Sequence, residues 1–293
     1  MCGIFAYIRA IGASKESKIN YEILKTNFNK IQHRGPDNSV IKQYNGYDKD
    51  KSDVTFGFHR LAINGLDDVS NQPLSFEGKY FLICNGEIYN HKELEDEFKF
   101  KTYSHSDCEV ILHLYNKFGI EETLKYLDGE YAFVLYDSEL DEIFVGRDHL
   151  GMRPLFITRR SETEWLFASE AKAICNLSDD VVYQFRPGSY SKMSDNFIEN
   201  QLFIYDQFKD DDGYKTSMHF ENDNLRGYAD TVNKMSRDMV MDNLKEMLNK
   251  SVYDRVKNSD RLVGCFLSGG LDSSLVCSIC LLYTSDAADE EDS

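Results

Sequence analysis

Short runs of aromatic and β-branched residues, each bounded by glycine, aspartate or asparagine, dominate the first two hundred residues. Runs of this length and composition predict β-strands. Helical spacing interrupts them in two places, around residues 19–31 and from Ser106 onward. Antiparallel strands with helices laid over them favour a layered α+β domain. The clearest strand runs are 80–85, 130–137, 142–148, 154–160 and 164–170.

The second helical stretch carries start and stop signals. Ser106 and, three residues later, Glu109 match a capping box, and Gly119 follows the last apolar position of the stretch. The sequence therefore predicts a helix that begins just after Ser106 and ends before Gly119.

Charge and cysteine content exclude several classes of protein. The net charge of −17 argues against binding to nucleic acid or to an anionic membrane. No apolar run approaches the length of a membrane span, and the N-terminus lacks the charged start of a secretion signal. Seven dispersed cysteines then predict reduced thiols in the cytoplasm. The single C-x-x-C, Cys277 to Cys280, has no second pair, so no metal site is predicted there.

The pattern changes after residue 205. Residues 206–233 are polar and aperiodic, which predicts a linker or surface excursion. Apolar residues then return at helical spacing between Met241 and Val252. The segment "RLVGCFLSGGLDSSLVCSI" that follows is typical of a strand, a glycine turn and a helix start. This order predicts the first β-loop-α unit of a nucleotide-binding α/β domain.

The last residues do not continue that domain. The stretch "CLLYTSDAADE", residues 280–290, fits neither a helix face nor a strand and resembles a translated sequencing-library adapter. We therefore predict a C-terminally truncated protein with four parts: a domain at 2–205, the linker at 206–233, a domain fragment at 234–279 and a non-biological tail at 280–293.

Cys2 stands one residue from the start, in "MCGIFAY". A chain end is a poor place for a structural core thiol. Removal of Met1 would leave Cys2 with both a thiol and a free α-amine, whose pKa of about 7.7–8.0 suits a general base at neutral pH. The terminus would then supply both a nucleophile and its base.

Four further segments contain groups suited to the hydrolysis of an amide in a free amino acid. They are residues 33–39, 58–64, 85–90 and 106–109. Asn85 and Gly86 offer donors for an oxyanion. Arg60 offers a fork for an α-carboxylate, and Asp107 an acceptor for an α-ammonium. Singly, each has a structural alternative: a hairpin turn for Asn-Gly, helix-dipole compensation for Asp107 and structural hydrogen bonds for His33 and His59.

Taken in order, "HRGPD", "NGEIYN" and "SGGLDSS" resemble the class II glutamine amidotransferases, in particular their asparagine synthetase branch. The segments "RDHLGMRPLFI", "FASEAKAI" and "RPGSY" resemble framework segments of that family. The resemblance implies a four-layer αββα Ntn-hydrolase sandwich over residues 2–205. It also implies Cys2 as nucleophile and Asn85 with Gly86 as oxyanion hole. The implied glutamine-binding residues are Arg60, Leu61, Ala62, Ile63, Asn64, Asn85, Gly86, Glu87 and Asp107.

The segment "SGGLDSS" resembles the pyrophosphate loop of ATP pyrophosphatases. Its two glycines and the following helix start can present N–H groups to a phosphate, whereas the GK[ST] of a Walker loop is missing. Asp272 is a candidate Mg²⁺ ligand. The implied ATP-binding residues are Phe266, Leu267, Ser268, Gly269, Gly270, Asp272, Ser273 and Ser274.

The resemblance implies that the full protein hydrolyses glutamine at Cys2 and passes ammonia to an aspartate that ATP has adenylated. Glutamine, aspartate and ATP are its implied small-molecule partners. The sequence is also compatible with a homodimer but does not decide the oligomeric state. Two alternatives remain. One is another class II amidotransferase, making glucosamine phosphate or phosphoribosylamine. The other is a glutaminase-only or non-catalytic glutamine-binding fragment.

Overall fold

The computed structural model describes residues 1–14, 17–44, 50–193, 203–204 and 235–290. The chain divides into two compact units, Met1–Lys215 and Thr216–Ser293. The predicted linker, residues 206–233, lies outside the described residues.

The first unit contains two antiparallel sheets. The strand order is β10-β8-β9-β1-β3-β2 in one sheet and β12-β11-β7-β6-β5-β4 in the other. All five strand runs predicted from the sequence are confirmed. The strands are β1 (Gly3–Arg9), β2 (Asn38–Tyr44), β3 (Asp53–Arg60), β4 (Leu74–Phe76), β5 (Tyr80–Ile88), β6 (Gly129–Asp137), β7 (Glu142–Arg147), β8 (Phe156–Ser161), β9 (Glu164–Ala168), β10 (Tyr183–Gln184), β11 (Ser189–Met193) and β12 (Phe203–Ile204).

Helices cover the outer face of each sheet. The α-helices of this unit are α1 (Tyr21–Asn29), α2 (His91–Phe98), α3 (Val110–Phe118) and α4 (Ile120–Tyr126). Short 3₁₀ turns lie at Gln32–Arg34, Asp68–Ser70, Asp107–Glu109 and Ala171–Ala173. Helix α1 packs on the first sheet and α3 on the second, so the layers run helix, sheet, sheet, helix. The predicted αββα sandwich is confirmed.

The residues of β1 explain why a short apolar run suits this architecture. Ile4, Ala6 and Ile8 belong to the core between the sheets. Phe5 and Tyr7 belong to the core under α1. Because side chains alternate along a strand, a strand covered on both faces must be apolar throughout. All seven residues of β1 are buried, and its one charged side chain, Arg9 at the C-terminal end, pairs with Asp53 and Glu164.

The start of α3 differs from the predicted capping box. Ser106 makes no side-chain cap, and the chain enters α3 through the 3₁₀ turn Asp107–Glu109. The Glu109 carboxylate instead accepts hydrogen bonds from the backbone N–H groups of Tyr103, at 2.7 Å, and Ser104, at 2.6 Å. Since Glu109 binds the preceding loop, it is not free to close the reciprocal box. The predicted stop is confirmed, because Gly119 ends α3 with φ of +76°.

His59 on β3 is a buried, neutral core residue. Its ring stacks on Phe28 at 3.7 Å between centroids. Its Nε2 donates to the Phe28 carbonyl at 3.1 Å, and its Nδ1 accepts from the Ser39 hydroxyl at 2.7 Å. Burial lowers the pKa of His59. The structural interpretation of this histidine is therefore the better one.

We expect His59 to make folding stability depend on pH. The unfolded histidine, with pKa near 6.5, binds a proton more readily than the folded one, so its contribution is fully present above about pH 6.5. That contribution is lost as the pH falls toward the lower pKa of the folded state. Thermal melts from pH 7.5 to 5 should therefore fall more steeply for the parent protein than for His59→Gln. Parallel curves would contradict this account.

The second unit contains α5 (Arg237–Val256) and α6 (Leu271–Glu290). The rings of Tyr253 and Tyr283 meet at 4.8 Å between centroids. Met241, Leu244 and Met247 of α5 were expected to lie on one apolar face of the helix. All three are exposed. No helix in the described part of the chain is long and apolar enough to cross a membrane.

Two details of this unit differ from prediction. Residues 262–267 form no strand, and Leu262 and Phe266 are fully exposed. A strand needs a hydrogen-bonded neighbour, and none of the described residues pairs with this segment. The expectation that residues 280–290 fit no helix is wrong, because α6 continues to Glu290. Leucine and alanine, frequent in that stretch, favour a helix wherever it comes from; its non-biological origin stays a prediction.

Candidate active site

The N-terminal end of β1 places Cys2 beside the C-terminal end of β3. Gly3 pairs with His59 in the antiparallel ladder. The Cys2 Sγ accepts a hydrogen bond from the Leu61 N–H at 3.3 Å and donates to the Leu61 carbonyl at 3.4 Å. Arg34 Nε donates to the Cys2 carbonyl at 2.8 Å. The Leu61 backbone thus holds the thiol, while strand pairing and Arg34 hold the backbone around Cys2.

The "HRGPD" segment braces the same region. A Cβ at Gly35 would lie 2.2 Å from the His59 carbonyl oxygen, so only glycine fits against β3. The Asp37 N–H donates to the Arg60 carbonyl at 2.9 Å. The Asp37 carboxylate accepts from the Ala62 N–H at 2.8 Å. This segment therefore fixes the direction in which the chain leaves β3.

Cys2 opens onto a pocket between the ends of the two sheets. Eight of the nine predicted glutamine-binding residues line it, and Ala62 does not. Ala62 is buried outside the pocket, and its N–H binds Asp37. The lining residues are Met1, Cys2, Phe58, Arg60, Leu61, Ile63, Asn64, Ser70, Gln72, Cys84, Asn85, Gly86, Glu87, Ser106, Asp107, Cys108 and Arg153.

Asn85 and Gly86 lie on β5, at the wall of this pocket. Asn85 is 1% exposed, and its Nδ2 has no hydrogen-bond partner among the described residues. Buried donors are almost always paired, so an unpaired one in a pocket marks a site for an acceptor. At Gly86 a Cβ would lie 2.6 Å from the Glu130 carbonyl oxygen of β6, so packing excludes a larger residue.

Asp107 lies in the 3₁₀ turn before α3 and faces the same pocket. Its carboxylate accepts from the Ile88 N–H at 2.6 Å. Burial raises the pKa of Asp107, whereas the hydrogen bonds from Ile88 and the Asn64 side chain oppose that rise. The Asn64 Oδ1 is buried without a partner among the described residues. A bound cation would favour the charged form of this carboxylate.

Arg60 lines the pocket, yet its guanidinium donors already have acceptors. Nη1 donates to the Asp67 carbonyl and to Asn71 Oδ1, both at 2.8 Å. Nη2 donates to the Asn64 carbonyl at 3.2 Å and to the Gly65 carbonyl. Arg60 thus shapes the loop after β3. A substrate carboxylate would have to share these donors.

We expect Arg60→Ala to raise KM for glutamine and to lower the free energy of unfolding. The loss of buried, charge-assisted hydrogen bonds should cost about 1–3 kcal/mol. Both quantities can be measured on the same preparation. If Arg60 also binds the substrate carboxylate, the rise in KM should shrink for a glutamine analogue lacking that group. Unchanged KM and unchanged melting would contradict both roles.

Comparison with known proteins matches the first unit to one family. The sequence profile of the glutamine amidotransferase domain matches residues 1–207. The chain belongs to this family of amidotransferase domains. A second profile, asparagine synthase, matches residues 243–287.

The similar curated proteins are glutamine-hydrolysing asparagine synthetases. The chain is 36% identical to the one from Bos taurus, over 98% of this chain and 49% of that protein. It is 35% identical to those from Pongo abelii and Homo sapiens, with the same coverage. The chain spans about half the length of the curated relatives it matches.

Solved structures support the fold alone. The amidotransferase domain matches an allosteric regulatory enzyme of purine biosynthesis with a TM-score of 0.52 and 21% identity, over 66% of this chain and 47% of that one. It matches the glutamine phosphoribosylpyrophosphate amidotransferase of B. subtilis with a TM-score of 0.51 and 22% identity, at the same coverage.

The amidotransferase pocket also contains residues that sequence reasoning missed. Arg153 is buried and donates to Glu87 at 3.2 Å and to Glu130 at 2.7 Å. Burial raises the pKa of Glu87, and Arg153 opposes that rise. Arg153 lies in the "RDHLGMRPLFI" segment, which was interpreted only as framework. The segment also contains Arg147, Asp148 and His149, so charge alone does not distinguish Arg153 in the sequence.

Two further missed residues, Cys84 and Cys108, stand next to predicted ones. Cys84 precedes Asn85, and Cys108 follows Asp107. Gln72 holds Cys84 in place: its Oε1 accepts from the Cys84 N–H at 2.6 Å, and its Nε2 donates to the Cys84 carbonyl at 3.1 Å.

The predicted ATP loop lies exposed before α6. Gly269 has φ of +83° and open space around it. The hydroxyls of Ser273 and Ser274 donate to the Gly270 carbonyl, at 3.1 and 2.8 Å. The Ser268 and Ser273 hydroxyl oxygens lie 2.9 Å apart. No group of three metal-binding side chains occurs in the described ranges, so Asp272 is a single carboxylate.

Proposed function

We propose that this amidotransferase domain hydrolyses glutamine with Cys2 as the nucleophile. The observation that carries the proposal is the buried, unpaired Nδ2 of Asn85 in the pocket that Cys2 enters. An amide under attack places negative charge on its oxygen, and an unpaired donor in a preformed pocket stabilises that charge. The Gly86 N–H is the second proposed donor.

Substrate orientation follows from Asp107 and Arg60, which line the same pocket as Cys2. Asp107 accepts the α-ammonium of glutamine, and that charge favours the ionised carboxylate. Arg60 and the loop that it shapes bind the α-carboxylate end. Leu61, Ile63, Asn64 and Glu87 complete the proposed lining. The substrate is thus held at both ends, with its side-chain amide at Cys2.

The α-amine that follows removal of Met1 serves as the general base. Burial lowers the pKa of the terminal amine where it stands at Met1. Burial also raises the pKa of the Cys2 thiol. The raised pKa favours the protonated thiol, so the α-amine of Cys2 has to take the thiol proton as attack begins. The bond from carbon to the amide nitrogen breaks and ammonia departs, so a γ-glutamyl thioester remains on Cys2. Water then hydrolyses this thioester.

For the whole protein we propose glutamine-hydrolysing asparagine synthesis in the cytoplasm. The relatives' names and the asparagine synthase profile over residues 243–287 support it. ATP is the proposed second substrate, at residues 266–274. N–H groups at the start of a helix, next to a glycine with open space, fit a phosphate. One carboxylate, Asp272, fits Mg²⁺ that is held chiefly by nucleotide phosphates.

The assay that tests this proposal measures two products. The purified 293-residue polypeptide should release glutamate and ammonia from glutamine without ATP. It should form no asparagine when given aspartate and ATP, because Leu262 and Phe266 beside the loop are fully exposed and no sheet within the described residues supports the loop. Absence of glutamate release would overturn the first proposal. Asparagine formation would contradict the expectation for this polypeptide.

A further inference from the structure

Three thiols line the proposed glutamine pocket: Cys2, Cys84 and Cys108. The proposed hydrolysis uses only Cys2. The other two are almost fully shielded from solvent, since Cys84 is 1% and Cys108 2% exposed. The pocket is therefore the route by which a small reagent would reach them.

Cys84 and Cys108 belong to one packed cluster, beneath the second sheet. The Cys108 Sγ lies 4.0 Å from the Gly86 carbonyl oxygen. Gly86 is two residues from Cys84 on β5, so both belong to the same face of the strand. The turn that carries Cys108 therefore packs on the part of β5 that presents the Cys84 side chain.

Cys84 and Cys108 are neighbours in this cluster and at the wall of the pocket. A side-chain hydrogen bond with Cys84, and then burial, raise the pKa of the Cys108 thiol well above its usual value. All seven cysteines are free in the structure. Neighbouring cysteines can be bridged when their Cα atoms lie within about 7 Å of each other.

We propose that Cys84 and Cys108 form a reversible disulfide when peroxide enters the pocket, and that this bond suppresses glutamine hydrolysis. Hydrogen peroxide transfers one oxygen to a sulfur of the pair, giving a sulfenic acid and water. The neighbouring thiol attacks that sulfur. The S–S bond forms as the S–O bond breaks, and the hydroxyl leaves with the thiol proton as water. The two thiols lose two electrons, which reduce the peroxide.

The bond would act on the residues beside it. A disulfide holds its sulfurs about 2.05 Å apart, closer than hydrogen-bonded thiols. The turn before α3 and strand β5 must then approach each other. Asn85 and Asp107, the neighbours of the two cysteines, move with them. The disulfide itself stands without the proposed function, whereas its effect on hydrolysis rests on it.

Peptide mapping tests the bond directly. The reduced full chain is treated with hydrogen peroxide, alkylated with iodoacetamide under denaturing conditions and digested with trypsin without reductant. Trypsin separates the two cysteines into peptides 80–92 and 102–117. We expect these peptides linked, two hydrogens lighter than their sum, and released by dithiothreitol. Full alkylation of both cysteines, or their linkage to other cysteines, would overturn the proposal.

The activity arm compares Cys84→Ala and Cys108→Ala with Cys175→Ala, a control at an exposed position outside the pocket. Peroxide should reduce hydrolysis by about 10-fold or more, reversibly, in the parent and in the control. Each pair variant should keep most of its own untreated rate. Equal losses in all four proteins would assign inactivation to Cys2 and overturn the switch. If the protein hydrolyses no glutamine at all, the linked peptides still decide whether the bond forms.

Discussion

Replacing Cys2 by alanine is expected to lower glutamine hydrolysis by at least about 10³-fold. The substitution removes the only thiol in the pocket that accepts from the Leu61 N–H and lies beside the chain's terminal amine. The two other thiols of the pocket, Cys84 and Cys108, are almost fully buried and are not expected to replace it, so water would have to attack the amide directly. Binding should persist, because Arg60, Asn85 and Asp107 remain. The measurement is steady-state glutamate release, with glutamine binding followed by calorimetry.

Cys175→Ala is the matched control for this prediction. Cys175 is exposed and lies outside the pocket, so its loss should leave hydrolysis unchanged. Both variants should melt within a few degrees of the parent. Hydrolysis by Cys2→Ala at a rate near that of the control would refute the nucleophile.

Asn85→Ala is expected to lower kcat by about 10²–10³-fold while KM changes little. The amide Nδ2 has no partner among the described residues, so it is available to the oxyanion, whose charge develops only during reaction. Leaving a buried donor unpaired also costs stability in the free protein. The variant should therefore melt no lower than the parent. Loss of activity without loss of stability distinguishes a catalytic donor from a structural one.

Asn90→Ala provides the opposite case. Asn90 Nδ2 donates to the Tyr126 carbonyl at 2.8 Å, and its Oδ1 accepts from the Asp128 N–H at 3.0 Å. Its substitution should lower the melting temperature and leave the rate of hydrolysis near that of the parent. A lower melting temperature for Asn85→Ala together with an unchanged kcat would contradict the assigned role of Asn85.

Much of the sandwich was predictable because its strands are apolar on both faces and separated by turn residues. The site was predictable where one residue carries its own chemistry, as with Cys2 and Asn85. The structure brings these residues together with Asp107 in one pocket. Their assigned roles remain proposals. The predicted role of Ala62 in binding glutamine has no support, because Ala62 lies outside that pocket.

The remaining features depend on contacts that sequence spacing does not encode. Arg60 lines the pocket as predicted, but its donors bind loop carbonyls, which only the loop's path reveals. Cys84 and Cys108, 24 residues apart in the chain, join one cluster because β5 packs under the turn before α3. The strand expected at 262–267 depends on neighbours that the described residues do not include.

The most direct test of the central claim is mass spectrometry of an acid-quenched reaction of the active protein with glutamine. The account predicts an N-terminal peptide that begins at Cys2, without Met1, and that carries a γ-glutamyl group on sulfur during turnover. An active preparation whose N-terminal peptide retains Met1 and never carries the glutamyl group would contradict it.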